Sequence, residues 1–467
     1  MAERHIVIIG GGFTGTALAI HLARLGQAGL SVTVIEPRAR LAEGVAYGTR
    51  DPAHRINVPA SRMQLSAAEE GDFDRWFRAS DGLLRDPQAR WHDGRLYPQR
   101  GQFAAYVAEQ FERAAAHSPV KLSHQRDRAL ALQHGRVLTA SGASYQADEV
   151  VLAISHPPPA LPPLLARSLA DHPGLIANPW QHDALATVAA DDRIAIIGSG
   201  LTMSDVVASL HRNGHRGPVV AFSRRGQLPR ENLSGDYPLR PLDYQRPQAM
   251  TARAWLRRIR QEVAQAAEEN LPWQLVLDDI RLHGQQLWQQ LALHEQRRFL
   301  RHLRPWWDVH RYRIAPQVSA VLAQQQASGQ LQVRAARLHT ITTRGEAIVL
   351  TLQPRGAEAE SLTVDKIIVT TGPAHGALLE SDALLHQLAR EGILQPDPLA
   401  LGILVNSQSQ PLNAQGAASR HLYVAGPAAR GRFGELMGLP QVAEHAESLA
   451  RQLLGVPPPP LAGRCPD

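Results

Sequence analysis

The chain has 467 residues, of which 44% are hydrophobic and 20% are charged, so it can form two or three domains with buried cores. Its single cysteine, Cys465, excludes a disulfide framework, a thiolate metal site and a redox-active cysteine pair. The net charge is +6, but only two of the 49 basic residues are lysines and the arginines are scattered. A solvated surface explains this pattern better than a nucleic-acid partner does.

The sequence also predicts no membrane partner. It has no apolar run of about 18 residues, and the apolar segment 5–9 follows Met1 without a signal-peptide core. We therefore expect a cytoplasmic protein, and its oligomeric state stays open, a homo-oligomer included. No histidine pair has the i, i+4 spacing with an intervening glutamate that is typical of a helical zinc site, so no bound metal is expected.

Two parts of the chain repeat one pattern at an offset of 188 residues. Residues 5–23 and 193–211 each begin with a short apolar strand, continue through a glycine-containing turn, and end with the apolar spacing of a helix. A second apolar strand follows each copy, at 30–35 and at 218–222. This pattern predicts an α/β fold with two Rossmann-like dinucleotide-binding units.

The remaining segments complete the expected organisation. Residues 120–155 have the pattern of short strands and hairpins, and the prolines within 157–163 indicate a crossing between domains. Residues 251–303 are expected to form helices inserted in the second unit, and strands resume at 347–352 and 366–370.

The first glycine motif predicts an FAD site. Gly10 permits a tight turn, Gly12 lets the backbone approach a pyrophosphate, and Gly15 allows close packing of helix on strand. Glu36 ends the second strand, where a carboxylate can accept hydrogen bonds from both hydroxyls of a ribose. The same cofactor is expected to contact three neighbours of these residues, namely Phe13, Thr14 and Arg38.

The second motif is weaker by itself, because Met203 replaces the third glycine. It consists of Gly198, Ser199 and Gly200. The repeat offset places Arg224, followed by Arg225, at the position of the ribose-binding carboxylate of the first unit. Guanidinium groups there would pair with the 2′-phosphate of NADPH, whereas a carboxylate would repel it. We therefore expect NADPH in the second unit; two solvated surface arginines are the alternative.

These residues resemble flavoproteins with two dinucleotide-binding domains of the glutathione-reductase-like kind, among them the flavin-dependent N-hydroxylating monooxygenases. Val151–Pro157 and Ile368–Pro373 are similar to their domain crossings, His421–Pro427 to their last strand beside the flavin, and Gly438–Gln441 to the start of their last helix. The resemblance adds four cofactor-binding residues, Gly372, Gly426, Pro427 and Gly438. Many relatives have Asp where this chain has Pro427.

The resemblance implies how the chain is divided. An FAD-binding domain would comprise residues 1–160 and 366–467. An NADPH-binding domain would comprise residues 161–365 and carry the helical insertion at about 251–303.

A closer resemblance is to a bacterial family of FAD/NAD(P)-binding proteins that includes the aspartate N-monooxygenases, which form nitrosuccinate. Four stretches carry it: Gly44–Gly48, Ile56–Met63, Ser223–Arg230 and Trp306–Arg311. It implies that Tyr47 and Met63 bind cofactor and that Asn57 belongs to the catalytic site.

Met63–Ser66 also resembles a segment of ornithine and lysine N-hydroxylases whose glutamine lies beside the flavin and the nicotinamide. The resemblance gives that role to Gln64. Those enzymes bind substrate with a lysine five residues later, where this chain has Glu69, so ornithine and lysine are not supported as substrates.

The implied reaction has two halves. NADPH reduces FAD, the reduced flavin forms a C4a-hydroperoxide with O2, and a neutral amine takes an oxygen atom from it. The expected partners are therefore O2 and a small amine or amino acid. A substrate with an extra carboxylate would need a guanidinium group, for which the family-like stretches offer Arg62, Arg230, Arg304 and Arg311.

Two alternatives stay open. An FAD-dependent dehydrogenase or oxidase, or an enzyme that oxygenates carbon or sulfur, would keep both nucleotide sites. A non-enzymatic redox sensor would need a detachable partner-binding segment, and the helical insertion is the candidate. A disulfide reductase is excluded because it requires two cysteines.

Overall fold

The computed structural model describes residues 3–154, 156–235, 237–244 and 250–457, and Cys465 lies outside these ranges. The strands are, in chain order, β1 (Arg4–Ile9), β2 (Leu30–Ile35), β3 (Lys121–Gln125), β4 (Ala129–Gln133), β5 (Arg136–Thr139), β6 (Ser144–Gln146), β7 (Glu149–Leu152), β8 (Leu175–Ile176), β9 (Ile194–Ile197), β10 (Val219–Ser223), β11 (Leu331–Arg344), β12 (Ala347–Pro354), β13 (Glu360–Val364), β14 (Lys366–Val369) and β15 (Leu422–Val424).

The α-helices are α1 (Phe13–Leu25), α2 (Gly44–Tyr47), α3 (Asp72–Ala79), α4 (Gly82–Arg85), α5 (Arg100–His117), α6 (Pro163–Leu169), α7 (Leu201–Arg212), α8 (Ala252–Glu268), α9 (Trp273–Leu282), α10 (Gly284–Gln290), α11 (Leu293–His302), α12 (Arg304–Arg311), α13 (Pro316–Ala327), α14 (Ala383–Arg390), α15 (Arg430–Phe433) and α16 (Gln441–Leu454). Short 3-10 helices include Ala60–Arg62 and Gly426–Ala429. Among the described residues, no helix is long and apolar enough to cross a membrane.

The first sheet has the strand order β15-β7-β1-β2-β3, and its strands are parallel throughout. β1 and β2 are rich in Val and Ile, as expected for strands covered on both faces. α1 packs against α5 and α16, and its residues Phe13–Ala23 are buried. Because β1 lies between β2 and β7, the strand order reverses at its carboxyl end, where dinucleotides bind in such sheets.

The second sheet has the order β13-β12-β11-β10-β9-β14-β8. Its inner strands are parallel, and β11, β12 and β13 form an antiparallel extension. β9 lies between β10 and β14 just as β1 lies between β2 and β7. The predicted α/β fold with two Rossmann-like units is thus confirmed.

Helices α8–α12 separate β10 from β11, where the sequence predicts a helical insertion. They extend to Arg311, beyond the predicted limit at 303, because Pro305 lies in the first turn of α12, where proline is tolerated. Pro272 likewise precedes α9 as its N-cap and does not interrupt a helix. α13 is different: it packs against α7 and leads into β11, so it is the crossover helix of the second unit.

The strand β14 belongs to the second sheet. Its residues Lys366–Val369 pair with Ile194–Ile197 of β9. The FAD-binding domain was expected to resume at residue 366, so the sheet pairing differs from that expectation at this strand. Strand order is set by tertiary pairing, which the apolar pattern of one strand does not reveal. The chain returns to the first sheet after Val369, and the assignment of the domains to their nucleotides stays a prediction.

A buried ion pair joins the two units. Arg100 of α5 and Asp205 of α7 approach to 2.8 Å, with side chains 9% and 5% exposed. The Nε of Arg100 also donates to the Arg55 carbonyl oxygen. Nearby, the Ser209 hydroxyl donates to Asp51 at 2.6 Å. These contacts hold α7 of the second unit against the first.

Replacing Asp205 by Leu should lower the free energy of unfolding by about 3–5 kcal/mol, because Arg100 would then be buried without its counter-ion. Denaturant-induced unfolding measures this loss. The double variant Arg100→Met with Asp205→Leu should recover part of it. Glu3→Gln, which removes an exposed ion pair with Lys121, is the control and should change little. Equal effects of Asp205→Leu and Glu3→Gln would contradict the assigned role.

Candidate active site

The first glycine turn, between β1 and α1, has room for a ligand on one side only. A methyl group on Gly10, whose φ is +104°, would overlap the carbonyl oxygen of Ala153, and one on Gly15 would overlap the carbonyl oxygen of Gly10. At Gly12 the nearest atom to such a group is a Gly44 Cα at 3.6 Å. The turn is therefore packed on its inner side and accessible at Gly12, as a pyrophosphate-binding turn requires.

Glu36 is held at the end of β2 by three donors. It is 4% exposed, and its carboxylate accepts hydrogen bonds from the Gly11 amide at 2.9 Å, the Arg38 amide at 3.0 Å and the Arg38 guanidinium at 3.2 Å. The carboxylate is thus fixed beside the glycine turn. This arrangement fits the ribose of an adenine dinucleotide.

An aromatic cluster lies beside the same turn. The ring of Phe13 stacks on Phe103 at 5.5 Å and meets the edge of Tyr47 at 6.3 Å. Burial raises the pKa of Tyr47 to about 12, so its phenol stays neutral. The structure places three of the predicted cofactor residues, Phe13, Tyr47 and Thr14, at the first turn. The Thr14 side chain packs against Gly426, where an added methyl group would lie 2.7 Å from the Thr14 hydroxyl oxygen.

The second glycine turn, between β9 and α7, repeats this construction. Gly198 has a φ of +121° and approaches the Thr370 carbonyl oxygen so closely that a methyl group would lie 2.8 Å from it. A methyl group on Gly200 would have no neighbour within 4 Å, which leaves space for a ligand. Ser199 donates to the carbonyl oxygen of Gln227 at 2.7 Å and thereby holds the loop that follows β10. Met203 is buried in the core.

A cavity of about 580 Å³ lies at the end of β10. Five arginines line it: Arg224, Arg225, Arg301, Arg337 and Arg355. Within the described ranges, none of the five has a carboxylate within 4.0 Å. The two arginines predicted from the repeat therefore form part of a cationic site. The other three come from α11 and from β11 and the end of β12, and no local sequence pattern links them.

The segment after β15 is held by a buried histidine. The Gly426 amide donates to Nδ1 of His445 at 3.1 Å, so Nε2 carries the proton and donates to the Ser409 hydroxyl at 2.9 Å. Burial lowers the pKa of His445 to about 4. Pro427 follows in the short 3-10 helix Gly426–Ala429. These contacts fix the backbone that the resemblance places beside the flavin.

The loop with Met63 and Gln64 contains an unsatisfied polar atom. Met63 is 3% exposed, and the side-chain oxygen of Gln64 is buried without a hydrogen-bond partner among the described residues. A buried acceptor without a donor is costly unless a bound group completes it. Asn57 lies nearby in sequence, and its main-chain carbonyl oxygen accepts a hydrogen bond from the side-chain amide of Asn232 at 2.8 Å.

The two remaining predicted glycines flank the same region. Gly372 follows β14 with a φ of +84°, and the adjacent Pro373 pairs with Pro159, so the two domain crossings lie side by side. Gly438 precedes α16, and a methyl group on it would contact only the Arg311 guanidinium at 4.0 Å.

The four predicted substrate arginines do not converge. Arg62 is largely exposed and lies 3.8 Å from Asp278, and Arg230 is exposed. Arg311 is buried and paired with Glu435 at 2.7 Å. Of the four, only Arg304 lines an apolar cavity beneath helices α8–α12, where it pairs with Asp308 at 3.3 Å.

This apolar cavity, of about 660 Å³, lies between helices α8–α12 and the segment from Arg430 to Met437. The helices are anchored to that segment by polar contacts. Trp288 donates to the Gly431 carbonyl oxygen at 2.9 Å, and Trp307 donates to Glu435 at 2.8 Å. Arg281 donates to the Leu439 carbonyl oxygen just before α16. The insertion therefore covers the chain between β15 and α16.

Sequence reasoning missed Arg430, which also lines this cavity. It is 5% exposed, and its guanidinium donates to Nε2 of His375 at 3.3 Å. Burial and the charge of Arg430 lower the pKa of His375 to about 3 and that of His156 to about 4, so both imidazoles are neutral at pH 7. An arginine inside the small and apolar run 424–431 is a signal that could have identified it.

Comparisons with known proteins agree with this geometry. Residues 7–157 match a family model described as FAD-NAD(P)-binding. Among curated proteins, no sequence matches the chain.

Solved structures share the fold along almost the whole chain. Ornithine hydroxylase of Pseudomonas aeruginosa is 16% identical with a TM-score of 0.61, and the match covers 97% of this chain and 99% of that one. Ornithine N-hydroxylase of Kutzneria sp. 744, solved with reduced FAD, NADP⁺ and L-ornithine, is 16% identical with a TM-score of 0.58 and the same coverage. The FAD-bound cadaverine monooxygenase of Erwinia amylovora is 12% identical with a TM-score of 0.62, and the match covers 99% and 98%.

At these identities the structural matches establish the fold. The family model establishes that the first Rossmann-like unit is of the FAD-NAD(P)-binding kind. The chain thus shares its fold over nearly its full length with these three structures.

Proposed function

We propose that this protein is an FAD- and NADPH-dependent monooxygenase that N-hydroxylates an amine or amino acid. The observation that carries the proposal is the pair of equivalent glycine turns, one followed by the fixed carboxylate of Glu36 and the other by the arginines of the cationic cavity. The names of the similar structures, ornithine hydroxylase and cadaverine monooxygenase, support the reaction class.

FAD fits the first unit. Its pyrophosphate would lie at Gly12 and the start of α1, where free amides face the ligand, and its ribose hydroxyls would bind Glu36. The backbone at Gly426 and the start of α16 would then face the flavin. Bound there, FAD supplies the hydride acceptor and the site of oxygen activation.

NADPH fits the second unit. The pyrophosphate would lie at Gly200, and the 2′-phosphate would bind among the five arginines, whose charge has no counter-ion in the described residues. The buried ion pair between Arg100 and Asp205 keeps the two units in one orientation. Hydride transfer requires such fixed positioning of the two reacting rings.

The chain's own residues position the reactants and exclude water. Gln64 presents an unpaired amide oxygen that can accept a hydrogen bond from the flavin edge or the nicotinamide amide. Helices α8–α12 close over the segment leading to α16 through Trp288 and Trp307. This anchoring argues against the redox-sensor alternative, because the insertion is not a detachable segment.

The reaction class is tested by its products. Purified protein given NADPH, O2 and a panel of amines and amino acids should convert one amine, O2, NADPH and a proton into a hydroxylamine, water and NADP⁺. Mass spectrometry detects the hydroxylamine, and peroxide assays measure uncoupled oxygen reduction. If every amine tested leads only to hydrogen peroxide, the chain is an oxidase and the proposal fails.

The variant Gln64→Leu should raise the fraction of NADPH oxidation that ends in hydrogen peroxide, because the side chain loses its polar contact at the flavin. Gln317→Leu is a matched control, since Gln317 also has a buried oxygen without a partner but contacts Gln88 and Ala89 instead. An equal rise in both variants would remove Gln64 from the active site.

Replacing Arg224 and Arg225 by Ala should raise the KM for NADPH by about tenfold or more, since each charge-assisted hydrogen bond contributes about 1.5–3 kcal/mol. The KM for NADH should change little, because NADH has no 2′-phosphate. Arg344→Ala, which removes an exposed arginine at the far end of β11, serves as control. Parallel increases for both nucleotides would contradict the assignment.

The buried His445 predicts a pH dependence of stability. Unfolded histidine titrates near pH 6.5, whereas the folded pKa is about 4, so the unfolded state takes up a proton first as the pH falls. The contribution of neutral His445 is therefore complete above about pH 6.5 and is lost towards pH 4, by at most about 1.4 kcal/mol per pH unit. His445→Gln should lower Tm at pH 7.5, and this difference should shrink at pH 5. Equal differences at both pH values would contradict the prediction.

A further inference from the structure

The cavity beneath helices α8–α12 has mostly apolar walls. Its lining includes Trp255, Leu277, Leu287, Trp288, Phe299 and Trp307. Its volume of about 660 Å³ falls within the roughly 300–1,000 Å³ of sites that take ligands of drug size. Such walls bind an apolar body and disfavour a second charged group, which would stay unpaired there.

Five charged residues line the cavity: Arg260 is exposed to solvent, Arg304, Asp308 and Glu435 are paired, and Arg430 has no ion-pair partner among the described residues. Arg304 pairs with Asp308 at 3.3 Å, and Glu435 is held by Arg311 at 2.7 Å and by Trp307. The negative charges of Asp308 and Glu435 favour the charged form of Arg430 and so oppose the lowering of its pKa by burial. Neither carboxylate lies within 4.0 Å of the Arg430 guanidinium.

Arg430 is therefore a buried cation without a counter-ion in the described part of the chain. Arg430 is 5% exposed. Among the described residues, its guanidinium donates only to Nε2 of His375 at 3.3 Å and to Sδ of Met437 at 2.8 Å. A buried charge without a partner is costly, and a guanidinium matches a carboxylate with two parallel hydrogen bonds.

We propose that this cavity binds a primary amine that carries one carboxylate and a large apolar or aromatic body, with the carboxylate on Arg430. The inference rests on the proposed function and narrows its substrate class. It places the apolar body between helices α8–α12, beside the segment that leads to Gly438 and α16. A small amino acid with two carboxylates, such as aspartate, fits poorly, because it has no apolar body for these walls and its second carboxylate would find no second buried cation without a partner among the described residues.

Binding to the oxidised holoenzyme tests the inference without requiring turnover. Equilibrium dialysis should give a tighter Kd for L-tryptophan and L-phenylalanine than for L-aspartate. Tryptamine and phenethylamine, which lack the carboxylate, should bind at least about tenfold more weakly than the parent amino acids. If L-aspartate binds as tightly as L-tryptophan, or the carboxylate makes no difference, the inference is overturned.

Two variants assign the contacts. Arg430→Met should weaken binding of L-tryptophan to the level of tryptamine and leave tryptamine unchanged, and Arg432→Met, an exposed neighbour, should change neither. Leu256→Trp should fill the cavity and weaken both ligands while leaving the FAD content intact. Loss of FAD from Arg430→Met, with the preference for the carboxylate retained, would assign Arg430 to the flavin and contradict the inference.

Binding and product formation together distinguish a failure of the proposed reaction from a failure of the proposed ligand class. If the large amino acids bind through Arg430 but give no N-oxygenated product with NADPH and O2, the proposed reaction fails and the ligand class stands. If hydroxylamines form from amines that do not depend on Arg430, the reaction stands and the ligand class fails.

Discussion

The close contact between each glycine turn and the end of its neighbouring strand is the constraint on which the rest depends. Gly10 lies against Ala153 after β7, and Gly198 lies against Thr370 after β14, in both cases too closely for a side chain. The chain crosses between the units directly after these two residues, and the crossings pair at Pro159 and Pro373. The contacts that shape the two nucleotide turns therefore also set how the units are joined.

The sequence predicted those features of the fold and the site that depend on a local residue pattern or on the internal repeat. The offset of 188 residues predicted both turns, and it predicted that a carboxylate, Glu36, and an arginine, Arg224, occupy equivalent places. The pairing of β14 with β9 could not be predicted, because the two strands are far apart in sequence. Arg301 could not be predicted for the same reason, since only the packing of α11 brings it to the cationic cavity.

Packing identifies a candidate substrate-binding arginine that the family resemblance did not predict. The four arginines predicted to bind substrate are exposed or paired, whereas Arg430, outside the family-like stretches, is buried and has no counter-ion among the described residues. The short segment 301–305, where α11 ends and α12 begins, lines both cavities. Arg301 and Pro305 line the cationic cavity, while Leu303 and Arg304 line the apolar one. The nucleotide and the substrate would thus share a wall, which is consistent with a reaction that uses both.

We propose that one chain binds FAD in its first unit and that this FAD receives hydride from NADPH bound in the second unit. Anaerobic reduction of the purified protein in a stopped-flow instrument tests this most directly. The account predicts a yellow protein whose flavin absorption is bleached much faster by NADPH than by NADH. A colourless protein that FAD does not reconstitute, or equal bleaching rates with both nucleotides, would contradict it.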